Sequence, residues 1–222
     1  MSQGADGGAK RGRGRPAKLS QERIVDVAVR LARSDPARPL TIRRVTEAAG
    51  SAPMALYRYF PDRDDLLRAV ADRILADIPL ESPHGASWQE ELRAWMEHSR
   101  AALVPYPQLV QYVADTRQSA WLPSFPVLRQ MLSPLRLADE DLALAVVIVG
   151  TTVVGYACVE ARRRPVEDTQ HDLRSAVADL PPAAGARALS IVECLPGAMD
   201  RLYGVVIDQT IAAVAGLGRR RG

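Results

Sequence analysis

Apolar positions recur along this chain at helical spacing, with few β-branched runs and little of the two-residue alternation of a half-buried strand. Ile24, Val27, Ala28 and Leu31 fall at i, i+3, i+4 and i+7. They mark one face of a helix from Ser20, its N-cap, to about Arg33. Two prolines make 34–39 a loop. Thr41 can cap a second, short helix that carries Ile42, Val45 and Ala49 on one face. Gly50 should end it, at a position calling for a positive φ. A third helix is expected from about Pro53 to Tyr59, with Pro53 in its first turn. Leu56 and Phe60, four apart, should turn to the core and leave Met54, Ala55, Tyr57, Arg58 and Tyr59 outside. Asp62 can cap a fourth helix, about Arg63 to Ile78, whose buried stripe is Leu66, Leu67, Val70, Ile74 and Leu75. Asp64 and Asp65 favour its positive end.

Beyond this, 79–87 (PLESPHGAS) has the composition of a linker, and His84 in it suits a solvated loop. Residues 88–217 again look wholly helical. The expected helices are Trp88 to Val104, Pro107 to Ser119, Pro126 to Ser133, Asp139 to Arg163, Ala184 to Leu195 and Ala198 to Leu217. Prolines 105, 107, 123, 126 and 134 punctuate them. The polar, Pro-containing stretch 164–183 suggests a mobile loop. The fold class is therefore all-α.

Two short helices joined by a glycine turn, the second aromatic and basic, form the helix-turn-helix pattern that sets its second helix in the DNA major groove. From about Ser20 to Leu75 the chain resembles the DNA-binding domain of the TetR family of bacterial transcriptional regulators. The likeness rests on LSQERIVDVAVRLA, TIRRVTEAAG and ALYRYFPDRDDLL, with Leu56, Tyr57, Tyr59, Phe60, Arg63, Asp64 and Leu66 at the family's characteristic places. Ser51, Ala52 and Met54 depart from its usual residues, at positions that face bases. The resemblance implies an N-terminal three-helix helix-turn-helix domain followed by a helical ligand-binding and dimerisation domain. It also implies that Thr41, Tyr57 and Arg63 meet phosphates, and that Ser51, Met54, Ala55, Arg58 and Tyr59 meet base edges or flanking phosphates; Arg43 joins this set. Arg58 is the best candidate for guanine, whose O6 and N7 a guanidinium can bind together. The domain limits read as 1–18, a basic arm; 19–78, the DNA-binding domain; 79–87, a linker; 88–217, the regulatory domain; and 218–222, a basic tail. In the arm, Arg13-Gly-Arg15-Pro resembles the core of an AT-hook, suited to a narrow A·T minor groove.

Charge sharpens this division. Residues 1–78 hold 15 Lys and Arg against 10 Asp and Glu, the rest 14 against 16. That is a basic N-terminal third on a near-neutral remainder. The apolar run Leu142–Val159 approaches the length of a membrane span, yet it includes Gly150, Thr151, Thr152, Gly155 and Tyr156; a helix buried all round explains it better than a membrane partner. No apolar signal segment opens the chain. The two cysteines, Cys158 and Cys194, show neither metal nor disulfide spacing, and a reducing cytoplasm is the expected setting. No metal or cofactor is implied.

The last two long helices are apolar and rich in small residues, which suggests a homodimer through them. A dimer also meets the geometry of a two-half-site operator on double-stranded DNA, with recognition helices about 34–36 Å apart. Polar groups among apolar helices suggest a cavity for an unknown small-molecule effector, with Trp95, His98, Tyr112, Arg117, Trp121, Thr152, Tyr156 and Glu160 as candidate contacts. The C-terminal half also resembles the tetracycline-repressor type of regulatory domain. Read this way, the chain is a ligand-responsive regulator, most simply a repressor. An effector-independent activator or architectural DNA-binding protein is the alternative. An enzyme is disfavoured: no Glu-x-x-His pair, nucleophile elbow, P-loop or dinucleotide fingerprint occurs.

Overall fold

The computed structural model describes residues 19–36, 38–76, 85–113 and 121–219. These residues are almost entirely helical, with no strand among them. The first four helices are α1 (Gln21–Ser34), α2 (Ile42–Ala49), α3 (Pro53–Leu56) and α4 (Arg63–Ala76). Their expected caps are present. Ser20 Oγ accepts from Arg23 N–H and Thr41 Oγ1 from Arg44 N–H. Gly50 stands at φ 66°, ψ 37°, in the left-handed region that only glycine enters cheaply. Ser51 N–H then closes the turn onto Thr46 O at 2.9 Å. Ile24, Ala28, Val45, Leu56, Phe60, Leu67 and Val70 are buried together beneath this turn. The third helix is shorter than expected: regular geometry ends at Leu56, and 57–59 continue as turns.

Six more helices follow: α5 (Trp88–Leu103), α6 (Val110–Val113), α7 (Ser124–Met131), α8 (Asp139–Ala161), α9 (Val166–Val177) and α10 (Pro182–Arg219). A 3-10 turn, Ser133–Leu135, joins α7 to α8. Helix α8 is central, packing on α5, α6, α7 and α10. By length and composition it could cross a membrane; the expectation of a helix buried all round is not met within one chain, since Leu142, Ala145, Val149, Val153 and Ala157 are buried on one side while Leu144, Val147 and Val159 are exposed. A bolt ties α5, α8 and α10 together. Arg100 pairs with Glu160 and lies 4.9 Å from the Tyr203 ring centroid. Tyr203 packs against Tyr156 with the rings tilted 39° and their centroids 4.5 Å apart, and its hydroxyl donates to Met96 O at 2.8 Å.

Two expectations are corrected. The stretch 164–183 is no loop, since α9 occupies most of it. This helix buries no residue completely; Val166, Gln170, Leu173 and Val177 are half-buried along one face, too short and interrupted a stripe to stand out. Side-chain pairs reinforce it: Arg174 Nε reaches Glu193 Oε1 at 2.6 Å. Nor do helices 184–195 and 198–217 exist separately. They are one helix of 38 residues with Pro196 inside. Pro196 has no N–H to give the carbonyl of Val192. Gln170 Nε2, from α9, donates to that carbonyl at 3.3 Å. The bond that proline removes is replaced from the neighbouring helix.

Of the expected segments, the arm 1–18, His84 with most of the linker, the end of the Pro107–Ser119 helix and residues 220–222 lie outside the described residues.

Candidate nucleic-acid interface and effector cavity

The turn after Gly50 presents a surface with little internal commitment. Met54 is 76% exposed, Tyr57 46% and Tyr59 36%. Arg58 is exposed, and Ala55 half-buried. The buried Leu56 and Phe60 fix which way these neighbours point. Ser51 behaves differently: its hydroxyl is buried with no hydrogen-bond partner. Tyr59 O–H donates to Leu19 O at 2.7 Å. It ties the recognition segment to the residue that directly follows the stretch 1–18. Arg43 is exposed and pairs with Glu47, whose carboxylate holds its guanidinium above the ordinary arginine range. Arg13 and Arg15 lie outside the described residues.

The loop before α2 is braced by two arginines and one glutamine. Arg44 Nη1 donates to Arg38 O at 2.8 Å. Arg63 Nε donates to Leu40 O at 2.9 Å, so part of this exposed guanidinium already supports the fold. From the second domain, Gln108 Oε1 accepts from Leu40 N–H at 2.8 Å, while its Nε2 donates to Pro36 O and Arg38 O. Sequence periodicity carries no trace of this clamp, because the partners are backbone atoms about seventy residues away. Tyr112 O–H adds a 2.7 Å bond to Asp64 Oδ1 on α4. Burial first, and the Asp64 carboxylate second, raise the Tyr112 phenol above its usual range.

Five residues beyond Gln108, Val113 lines a partly open cavity of about 210 Å³ between α5, α7 and α8. Trp95, Trp121, Phe125, Leu128, Val146 and Val154 also line it. Of the candidate effector contacts, the fold brings Trp95 and Trp121 together here. It does not bring the others. His98 is exposed on α5, and Tyr112 faces α4. Thr152 hydrogen-bonds Ile148 O and Thr210. Tyr156 and Glu160 belong to the Arg100 bolt, and Arg117 lies outside the described residues. Sequence reasoning passed over Val113, Ser124, Phe125, Gly150, Thr151 and Gly155 on the cavity wall. Phe125, aromatic and flanked by prolines, carried the one usable signal. Among the described residues no cluster of three or more His, Cys, Asp or Glu could hold a metal.

Residues 24–70 match the model of the bacterial regulatory proteins, tetR family. The chain is 30% identical over 158 residues to the HTH-type transcriptional repressor DrrR1 of Streptomyces coeruleorubidus, covering 68% of this chain and 57% of that protein. It thus spans less than two thirds of the first relative's length. An HTH-type transcriptional regulator of Saccharopolyspora erythraea is 27% identical over 176 residues, covering 75% of this chain and 74% of its own. The Streptomyces coelicolor TetR family protein ActR, in complex with actinorhodin, superposes with a TM-score of 0.71 at 21% identity, over 92% of this chain and 99% of that one. That likeness is one of fold. The helix-turn-helix is the part of the chain that the family model matches. The chain belongs to the TetR family of bacterial regulators.

Proposed function

We propose that the chain represses transcription as a homodimer on a palindromic operator and lets go when a small, mostly apolar effector occupies the α5–α7–α8 cavity. One observation carries this reading. The stretch 108–113 clamps the loop leading into α2 at one end and walls the cavity at the other. A ligand changes DNA affinity only if it binds one dimer conformation better than the other. A segment shared by both sites supplies a physical route for that difference.

Residues 19–78 act as the DNA-binding domain and 88–217 as the regulatory domain. Thr41, Arg43, Tyr57 and Arg63 would hold phosphates, and Arg58, with Met54, Ala55 and Tyr59, would read or flank bases. Arg13 and Arg15 would enter an adjacent minor groove. Dimerisation would cover the apolar side chains that α8 and α10 leave exposed, among them Leu144, Val147, Val159 and Val205. DrrR1 is named a repressor, and ActR binds actinorhodin; both fit this assignment. The chain would work in the cytoplasm, without enzymatic activity.

Binding of the purified protein to the DNA upstream of its own coding region, across a salt series, tests the reading. Selective binding of one dimer per site with a steep salt slope is expected. Affinity equal to that for random DNA would count against that operator.

A further inference from the structure

The cavity's walls define the chemistry of its occupant. Among the described residues, none that lines the cavity is charged, and the side-chain oxygens on its wall are the hydroxyls of Ser124 and Thr151. Trp121 Nε1 is already committed to Val113 O at 3.2 Å, so that indole has no polar group left to offer a ligand. Burying an ion here without a counter-charge would be strongly unfavourable. Aromatic surface, in contrast, is plentiful in Trp95, Trp121 and Phe125. At about 210 Å³ the space is smaller than the roughly 300–1,000 Å³ of pockets for drug-sized molecules. The wall contributed by α8 has a further peculiarity. A Cβ added at Gly150 or Gly155 would meet nothing within 4 Å. Within one chain no neighbouring helix packs closely against either position, and at the half-buried Gly150 the missing side chain leaves open space beside the cavity.

We infer that the effector is an uncharged, compact aromatic molecule of one or two fused rings, held against Trp95, Trp121 and Phe125, and that Gly150 keeps the room it needs. This rests on the effector-responsive reading above and specifies its ligand. Offset or edge-to-face contact with the three rings would favour an aromatic ligand beyond simple area burial. The Ser124 and Thr151 hydroxyls suit a single polar substituent.

Isothermal titration calorimetry of the full chain tests this, with 1-naphthol as the neutral aromatic probe. Naphthalene-1-sulfonate, 1-naphthylmethylammonium and 1-octanol serve as anionic, cationic and aliphatic controls. 1-Naphthol should bind at least about tenfold more tightly than each control. Gly150→Leu should lower its affinity by at least about tenfold, while circular dichroism stays that of the parent. Leucine is the better helix former, so the substitution does not burden α8. Phe125→Ala offers a second variant, at a side chain 40% exposed; it should weaken 1-naphthol and leave 1-octanol unchanged. Equal or tighter binding of a charged probe or of octanol would overturn the inference, as would no binding of 1-naphthol. Unchanged affinity in both folded variants would do the same. Added to the protein–operator complex, 1-naphthol separates the two readings. If it binds the cavity without altering DNA affinity, the ligand class stands and the effector role fails. If DNA is bound selectively but no neutral aromatic binds, the DNA-binding reading stands and the ligand class fails.

Discussion

Gln108 and Leu40, 68 positions apart, are joined by a 2.8 Å bond from the Leu40 N–H to the Gln108 side-chain oxygen. Arg63 takes the carbonyl of the same residue, so Leu40 is held from both sides immediately before the cap of α2. Its side chain is wholly buried, and Thr41 inherits its position. The entry angle of the helix-turn-helix is thus set partly by the second domain.

Gln108→Leu keeps bulk but leaves the Leu40 N–H and two loop carbonyls without the amide. The expected cost is about 1 kcal/mol, or roughly 2–4 °C in Tm for a chain of this size. Amide exchange at Leu40 should accelerate, and any effector should then shift DNA affinity less than in the parent. An unaltered exchange rate at Leu40 would show that the clamp is absent in solution.

Tyr57 and Arg58 are neighbours expected to fail differently. Tyr57→Ala should weaken binding to operator and random DNA alike, because a phosphate contact carries no sequence information. Arg58→Ala should cost about 1–3 kcal/mol on the preferred site and less elsewhere. Competition binding on both DNAs decides between them. A preference for operator that survives Arg58→Ala would remove that residue from base readout.

The DNA-binding domain was legible because its determinants are local. Thr41 caps three residues ahead, Gly50 turns on its own dihedral, and Leu56 with Phe60 fixes the outward set by one-turn spacing. Helix α9 was not legible, since its apolar stripe is short, half-buried and interrupted by Gln170, and its polar partners on α10 lie about twenty positions away. Pro196 and Gly197 looked like a break because the compensating Gln170 sits 26 positions upstream. Among the cavity candidates, Trp95 and Trp121 were visible as large apolar residues between helices. Tyr156 and Glu160 looked equally suitable, but their partners, Arg100 and Tyr203, come from other helices that spacing does not connect. Gly150, one of the small residues of α8, lines the cavity within this chain, a role that its spacing did not reveal.

Asp72, on α4, has one carboxylate oxygen buried without a hydrogen-bond partner. Burial pushes its carboxyl above the usual range. In the window between the ordinary value, about 3.9, and this raised one, the folded chain holds more protons than the unfolded chain. Its contribution to stability therefore falls as pH rises through that window and stays unfavourable above it. Asp72→Asn should raise Tm at neutral pH by less than about 1 kcal/mol equivalent, the partial exposure of the group screening the rest. The gain should vanish below about pH 3.9. Melting curves of parent and variant from acid to neutral pH give the comparison. A difference that is independent of pH would mean that the charge is not what destabilises.

Pro196 and Gln170 should be energetically coupled through a carbonyl that neither owns. Gln170→Ala in the parent orphans the Val192 oxygen and weakens the α9–α10 contact, at a cost of about 1–2 kcal/mol. Pro196→Ala restores an N–H four residues after Val192 and removes a helix-disfavouring residue, so it should stabilise α10. In the Pro196→Ala background the penalty for Gln170→Ala should shrink by at least about 0.5 kcal/mol, because the carbonyl now has its own helical donor. Denaturant unfolding of the four proteins in this cycle measures the coupling. Strict additivity would show that Gln170 merely packs beside the proline and that the long helix tolerates its interruption for another reason. Coupling of the expected sign would explain why a helix of 38 residues runs through proline without breaking, and why a polar helix with no fully buried residue is retained at that point.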